Sequence, residues 1–379
     1  MHKLFSKVSK LKKKTIVLAS VLKPIDDPRM YEKIGSSLCP QYNVHIIGHQ
    51  SVGIPNAAIQ FHPIFNFSFS EKKRKKAGQS FLNEIAQIKP DVLIVHTPEL
   101  LWFALLYKFK NKIKLVYDVR ENYWRNIVYQ TNYKGLRKWF LAAGVRLTEW
   151  VSSHFVDAIF LAEKCYAQEM PFLTQKAVVL ENKFKKQLPL VPRAINAQLG
   201  LPLKVICTGT FSEVYGTERA IQWVLKLREL GYEITLLLIG KIATKALEKK
   251  IQFYTKQHPF IQLEGGGLVP HKKILEALHQ ADLALLPYEP NESTKECIPT
   301  KMYECWALQI PMLVQKNQLW ERLCKPVHAA IFTDFEPEKA ENDLLKILEM
   351  PFYMETSVGD FFWETEEEKL IKTIDSLMG

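Results

Sequence analysis

The sequence has no paired cysteines. Its six Cys are scattered, with no C-x-x-C and no zinc-type spacing, and H-E-x-x-H is absent. Isolated thiols fit a reducing compartment and predict no disulfides. No apolar run approaches the roughly 20 residues that a membrane span needs. One stretch imitates a secretory leader, KLKKK ahead of TIVLASVL. Its apolar part is short and runs into KPIDDPR without a cleavage site, so it reads as a first β-strand. The segment after that strand lacks G-x-G-x-x-G, which argues against a dinucleotide site there. D-x-D, internal repeats and low-complexity segments are missing as well.

What remains is an ordinary globular composition with an uneven charge. At 379 residues and 47% apolar content, the chain can build two domains, each with its own core. Residues 1–190 carry 30 Lys and Arg against 14 Asp and Glu, whereas the rest carry 21 against 26. A basic half suits nucleic acid, an anionic membrane surface or an acidic substrate. No nucleic-acid-binding module accompanies it, so nucleic acid is not expected. Residues 61–76, FHPIFNFSFSEKKRKK, place Phe65, Phe67 and Phe69 before Lys72, Lys73, Arg74, Lys75 and Lys76. That order predicts either a solvated loop or a segment facing an anionic membrane.

Taken in order, apolar runs alternate with helical patterns, as in a doubly wound α/β domain. TIVLASVL, YNVHIIG, PDVLIV and KIKLVYDV read as strands. His96, Asp118, Arg120 and Glu121 fall just past strand ends, where open α/β sheets bind ligands. Tyr123, Trp124, Trp139, Phe140 and Trp150 recur at a spacing that predicts a helical core face. QLPLVPRAINAQLGLP (187–202) makes a linker. A second series follows, with KVICTGTF, ITLLLIGK, IQLEGGG and ADLALLP as strands, and the chain closes on an amphipathic helix after FFWE.

The most informative stretch is NESTKECIPTKMYECWALQIPMLV (291–314). Pro299 suits the first turn of a helix, whose free N–H groups favour a phosphate, and Lys301 adds a full charge. Glu296 and Glu304 stand eight positions apart; beside an anion site they suit sugar hydroxyls, and otherwise a solvated helix start.

This E-x7-E, followed by Ala307 and Pro311, resembles the signature of retaining GT-B glycosyltransferases of the large group 1 (family 4-like) family. Asp27-Pro28-Arg29, HTPE (96–99), YDVRENY (117–123) and the terminal W-E helix resemble other stretches of that family. Three positions depart from it: Pro299 where many members have Gly, Arg120 where His is frequent, and Tyr215 where a Lys precedes Gly216. The resemblance implies two Rossmann-like domains facing a cleft: residues 1–190 with the crossing helix 360–379 on the acceptor side, and 191–359 on the donor side. It implies transfer from a nucleotide-diphosphate sugar to a glycan or lipid-linked acceptor, with retention and without a metal. Glu296, Asp118 and Glu121 become the expected catalytic residues. Glu304, Lys301, Arg219, Lys241, Thr210, Gly216, Cys297 and Ile298 are expected at the donor, with residues 266–270 at the base. Asp27, Arg29, His96 and Arg120 are expected on the acceptor side. The expected setting is the cytoplasm, peripheral on the inner leaflet, in surface polysaccharide or glycolipid assembly. A nucleotide-sugar epimerase or a non-catalytic binding protein of the same fold is the alternative.

Overall fold

A computed structural model describes residues 13–51, 58–66, 71–129, 135–186, 192, 198–289, 291–354 and 360–379, with the side chains of 71–75 outside the description. Two fully parallel sheets organise it. The first contains β1 (Thr15–Pro24), β2 (Asn43–His49), β3 (Ile59–Phe65), β4 (Val92–Val95), β5 (Lys114–Val119), β6 (Ala158–Leu161) and β7 (Ala177–Val179), in the order β3-β2-β1-β4-β5-β6-β7. The second contains β8 (Leu203–Phe211), β9 (Ile234–Ile242), β10 (Ile261–Gly266), β11 (Leu283–Leu286), β12 (Met312–Gln315) and β13 (Ala330–Thr333), in the order β10-β9-β8-β11-β12-β13. Strand order reverses at β1/β4 and at β8/β11. Each reversal opens a crevice at the carboxyl ends of the strands.

The near-continuous apolar runs follow from burial on both sheet faces. Val17 and Ala19 of β1 pack with Leu93, Val95 and Leu115 on one face. Ile16 and Leu18 pack with Ile46, Ile94 and Val116 on the other. The second face is covered in part by the last helix, Glu364–Met378, through Trp363, Leu370 and Ile374. The expected helix that crosses back to the first domain is therefore present. Two segments pass between the domains, and they pair with each other. Phe184 N–H donates to the Phe361 carbonyl (2.9 Å), and Trp363 N–H donates to the Phe184 carbonyl (2.8 Å). Beside them, the buried Lys183 ammonium lies 2.6 Å from the Glu366 carboxylate.

Two sequence expectations are corrected. The helix Arg137–Phe155 does not bury its aromatics: its buried residues are Ala142, Glu149, Ser152 and Ser153, while Trp139, Phe140 and Trp150 face outward. Phe65 is fully buried as the last residue of β3 and cannot enter a membrane. Phe67 and Phe69 lie outside the described residues, as do the side chains of Lys72, Lys73, Arg74 and Lys75; Lys76 is exposed.

Trp363 is completely buried, and its indole N–H donates to Ser37 Oγ at 3.0 Å. Trp363→Ala is expected to cost about 3–5 kcal/mol. Urea titration checks this, and a loss below about 1 kcal/mol would show that the crossing helix does not depend on this anchor.

Candidate active site

The strand ends of both sheets face one cleft with two lobes. A lobe of about 410 Å³ is lined by Arg120, Glu121 and Asn126 from the first domain and by Tyr215, Cys297 and Trp320 from the second. A lobe of about 270 Å³ lies between Asp26 and Asp27 on one side and Lys241, Val269 and His271 on the other. The lobes share Lys23, Gly209, Thr210 and Lys301. Another hollow, of about 560 Å³, lies by Pro90 and Ile113 at the opposite, amino-terminal end of the first sheet. Its lining is mostly apolar, with Lys89, Lys110, Asn111 and Tyr107 as its polar members and no carboxylate, histidine or cysteine.

The cleft floor is bare backbone. Gly209, near the carboxyl end of β8, pairs in register with Gly240 of β9. A Cβ on Gly240 would collide with the Gly209 carbonyl, and its φ of +152° suits glycine alone. Above this floor begins the helix Thr300–Leu308, after Pro299 and without a side-chain cap. Its first N–H groups and positive dipole end sit where Lys301 enters both lobes.

Lys301 is held from behind. Its ammonium donates to both oxygens of Glu304 (3.1 and 3.0 Å), a carboxylate that is almost completely buried. His271 Nε2 reaches the same carboxylate at 3.0 Å, and Nδ1 reaches Glu32 of the first domain at 2.7 Å. Burial opposes a charge on either partner, but the ion pairs outweigh it. Glu304 is held down near about 2, and His271 is lifted to about 9. Lys33 stands close to this chain; burial, with Arg29 nearby, lowers its ammonium to about 7 despite Glu304 and Glu32.

Of the residues expected at the site, the cleft walls bring together Glu121, Arg120, Asp27, Thr210, Lys241, Lys301, Cys297 and Ile298. Leu268, Val269 and Pro270 line the smaller lobe. Glu121 is partly exposed, and its carboxylate accepts from Asn126 at 2.8 Å and Lys23 at 3.4 Å. Asp27 caps the turn Pro28–Gly35 and pairs with Arg120. Glu304 stands behind the wall and acts on the cleft through Lys301 and His271.

Other expected residues do not line the cleft. Asp118 is sealed from solvent, with both oxygens taken by Arg29 (2.6 and 2.8 Å) and one also by His96 (2.6 Å). Asp118, Arg29 and His96 form a buried cluster outside the linings of both lobes, with no hydrogen-bond partner on His96 Nε2 among the described residues. Glu296 is exposed and lines neither lobe. The turn that starts at Asn291 points Ser293, Thr294 and Cys297 inward and leaves Glu292 and Glu296 outside. Arg219 donates to Gln315 and to the Asp334 carbonyl, and with Gly216 it lines a separate hollow. Gly216 serves the close approach of its backbone to Pro287.

Sequence reasoning missed Lys23, His271 and Glu163. Lys23 sits at the end of β1, and His271 opens the helix after the Gly-rich turn, so both occupy strand-end positions that the general rule covers. Glu163 had no local signal. Its buried carboxylate accepts from Ile298 N–H across the cleft (3.1 Å), and burial, with Cys297 beside it, pushes its pKa well up. Cys165 and Cys297 also meet across the cleft, 3.8 Å apart, as free thiols.

His271 gives the site a pH signature. A histidine whose folded pKa exceeds its unfolded value stabilises fully below about 6.5 and loses that stabilisation as pH rises through about 9. Lys33, lowered on folding, runs the opposite way above about 7, so the contrast must be drawn against a variant. The stability difference between the parent and His271→Gln is expected to shrink between pH 6.5 and 9.5 by on the order of 2–3 kcal/mol. Urea midpoints across that range measure it, and a pH-independent difference would remove the charge from His271.

No family model matches the chain, and no curated protein matches it. Solved structures do. The chain is similar to a sucrose-phosphate synthase from Thermosynechococcus elongatus (13% identity, TM-score 0.70), with 97% of this chain and 99% of that one covered. It is similar to Anabaena HepE in complex with UDP-glucose (12%, TM-score 0.64; 96% and 99% covered). It is also similar to the catalytic domain of starch synthase IV from Arabidopsis thaliana bound to ADP and acarbose (11%, TM-score 0.62; 96% and 99% covered). At such identities the likeness establishes the fold, and that fold is GT-B.

Proposed function

We propose that the protein is a glycosyltransferase that moves a sugar from a nucleotide-diphosphate donor, held by the second domain, to a glycan or lipid-linked acceptor on the first. The observation that carries this reading is Lys301. It stands at an uncapped helix start, fixed by Glu304, over the open backbone of Gly209 and Gly240. A diphosphate leaving group needs cations and N–H donors that are already oriented when charge develops. Lys301, Lys241 and the first N–H groups of Thr300–Leu308 supply them, with Lys23 approaching from the first domain. They neutralise the leaving diphosphate without a metal. Leu268 to Pro270 receive the base, against the backbone of the Gly-rich turn.

In the transfer, the bond from the sugar's anomeric carbon to the diphosphate breaks and a bond to the acceptor oxygen forms. The acceptor proton passes to the departing phosphate in a retaining reaction. Glu121 faces the same lobe from the acceptor side and orients the acceptor hydroxyl. Aromatic rings of Tyr215, Tyr288 and Trp320, in edge contact at 5.6 and 6.2 Å, wall the larger lobe beside the transferred sugar. Tyr215 occupies the position where related sequences carry a Lys, so the cationic role falls to Lys301 and Lys241. The buried partners Glu304 and His271 position Lys301 rather than touch the reacting atoms. Glu304→Ala would leave Lys301 without its carboxylate and His271 with Glu32 alone, and would destabilise the fold, so Glu304→Gln is the informative variant.

Calorimetric titration with UDP and ADP tests the reading. Lys301→Ala and Lys241→Ala are each expected to weaken binding about ten- to hundredfold. Arg219→Ala, outside the cleft, is expected to leave it unchanged. Parent-like affinity in Lys301→Ala would sink the assignment. Hydrolysis or transfer assays with a panel of nucleotide sugars then identify the donor, and Glu121→Gln is expected to lower kcat by about a hundredfold or more with little change in donor KM. Interconversion of the donor sugar without transfer would instead mark an epimerase.

A further inference from the structure

The helix Arg137–Phe155 is built inside out. Its inward positions are Ala142, Glu149, Ser152 and Ser153. Its outward stripe runs Leu136, Phe140, Ala143, Leu147, Trp150 and His154, the i, i+4, i+7 spacing that ordinarily faces a core. Phe140 is 78% exposed, Leu147 59% and Trp150 50%. The neighbouring helix Pro98–Asn111 repeats the pattern, with Trp102 (57%), Leu106 (43%) and Phe109 (63%) outward. The two stripes join where Phe109 and Phe155 meet edge to face at 5.6 Å. Single exposed apolar residues need no explanation, but two adjoining helices with coherent outward stripes mark an interaction surface.

We infer that this face docks the protein on an anionic lipid bilayer. The two helices carry five Lys or Arg against two acidic residues, and one of the two, Glu149, is buried. The exposed Lys110 and Lys112 and the residues Arg137 and Lys138 rim the aromatics. Basic side chains around outward Trp, Phe and Leu match an interface in which rings enter the head-group layer and cations meet phosphate. A second copy of the chain fits less well, because it would bring two basic rims together. The surface is continuous with the cleft. Trp139 touches Trp124 at 6.2 Å between ring centres, and Trp124 lies on the helix Tyr123–Tyr129, whose Asn126 lines the larger lobe. A molecule rooted in the bilayer would reach the acceptor wall from this side. This docking surface is distinct from the segment 61–76, most of whose aromatic and basic side chains lie outside the described residues.

Co-sedimentation of the full chain with vesicles tests this without any transfer assay, so its outcome is separate from the donor-site reading. Binding is expected to vesicles containing phosphatidylglycerol, to fall as salt rises, and to be accompanied by a blue shift of tryptophan emission. Changing Phe140, Leu147 and Trp150 together to Ser is expected to weaken vesicle binding roughly tenfold or more. Changing Lys110, Lys112 and Arg137 to Gln is expected to weaken it to a similar degree on anionic vesicles. Because these residues face outward, both variants are expected to keep the parent's circular dichroism and urea midpoint. Parent-like vesicle binding by the Ser variant, absence of binding by the parent, or equal binding to neutral and anionic vesicles would overturn the proposal. So would a parent dimer that the Ser variant dissolves, which would make the face a self-interface.

Discussion

Everything at the cleft depends on how the two domain crossings hold each other. Each sheet is rigid, with both faces packed, so the relation between the sheets rests on few groups. The Phe184 and Phe361–Trp363 backbones pair directly, and Lys183 is buried against Glu366. Burying that ion pair is costly in itself, yet breaking it would leave an uncompensated charge, so the pair fixes geometry more than it adds stability. Because these crossings meet beside the first sheet, the carboxyl ends of β1 and β8 face each other. Lys23 and Lys301 thereby reach one cavity although they are far apart in sequence.

The contacts across the cleft are of a different kind. Glu32 meets His271, Glu163 accepts from Ile298, and the Arg125 guanidinium donates to the Glu292 carbonyl. These are polar contacts, two at partly buried positions and the third exposed, with the Cys165–Cys297 contact beside them. Such contacts can open and remake while the crossings persist, which suits a cleft that admits a charged ligand. The same arrangement concentrates positive charge at the floor and keeps Glu304 ionised under it. A cation that has a buried carboxylate behind it is oriented before any phosphate arrives.

Much of this was legible in the chain. Uninterrupted apolar runs alternating with helical segments specify parallel strands covered on both faces, because no other arrangement buries both sides of such a run. The strand-end rule brought Glu121 and Arg120 to the cleft, the family resemblance brought Thr210 and Lys241, and Pro299 with Lys301 marked the helix start. Local chemistry suffices there, since each residue's place follows from the element that carries it.

Side-chain direction was not legible. Asp118 and Glu121 lie three residues apart at the same strand end, yet Asp118 is sealed by Arg29 from a distant turn while Glu121 stays on the wall. Glu296 belongs to a recognisable spacing, but the turn that starts at Asn291 directs it outward. The helix Arg137–Phe155 is the sharpest case: its apolar period says that one face is covered and not by what, and the protein core takes the opposite face. Periodicity fixes that a stripe exists, and charge fixes which half of the chain is basic. Only the packing of one element on another decides whether a stripe meets the core or the outside, because that depends on neighbours the local sequence does not contain.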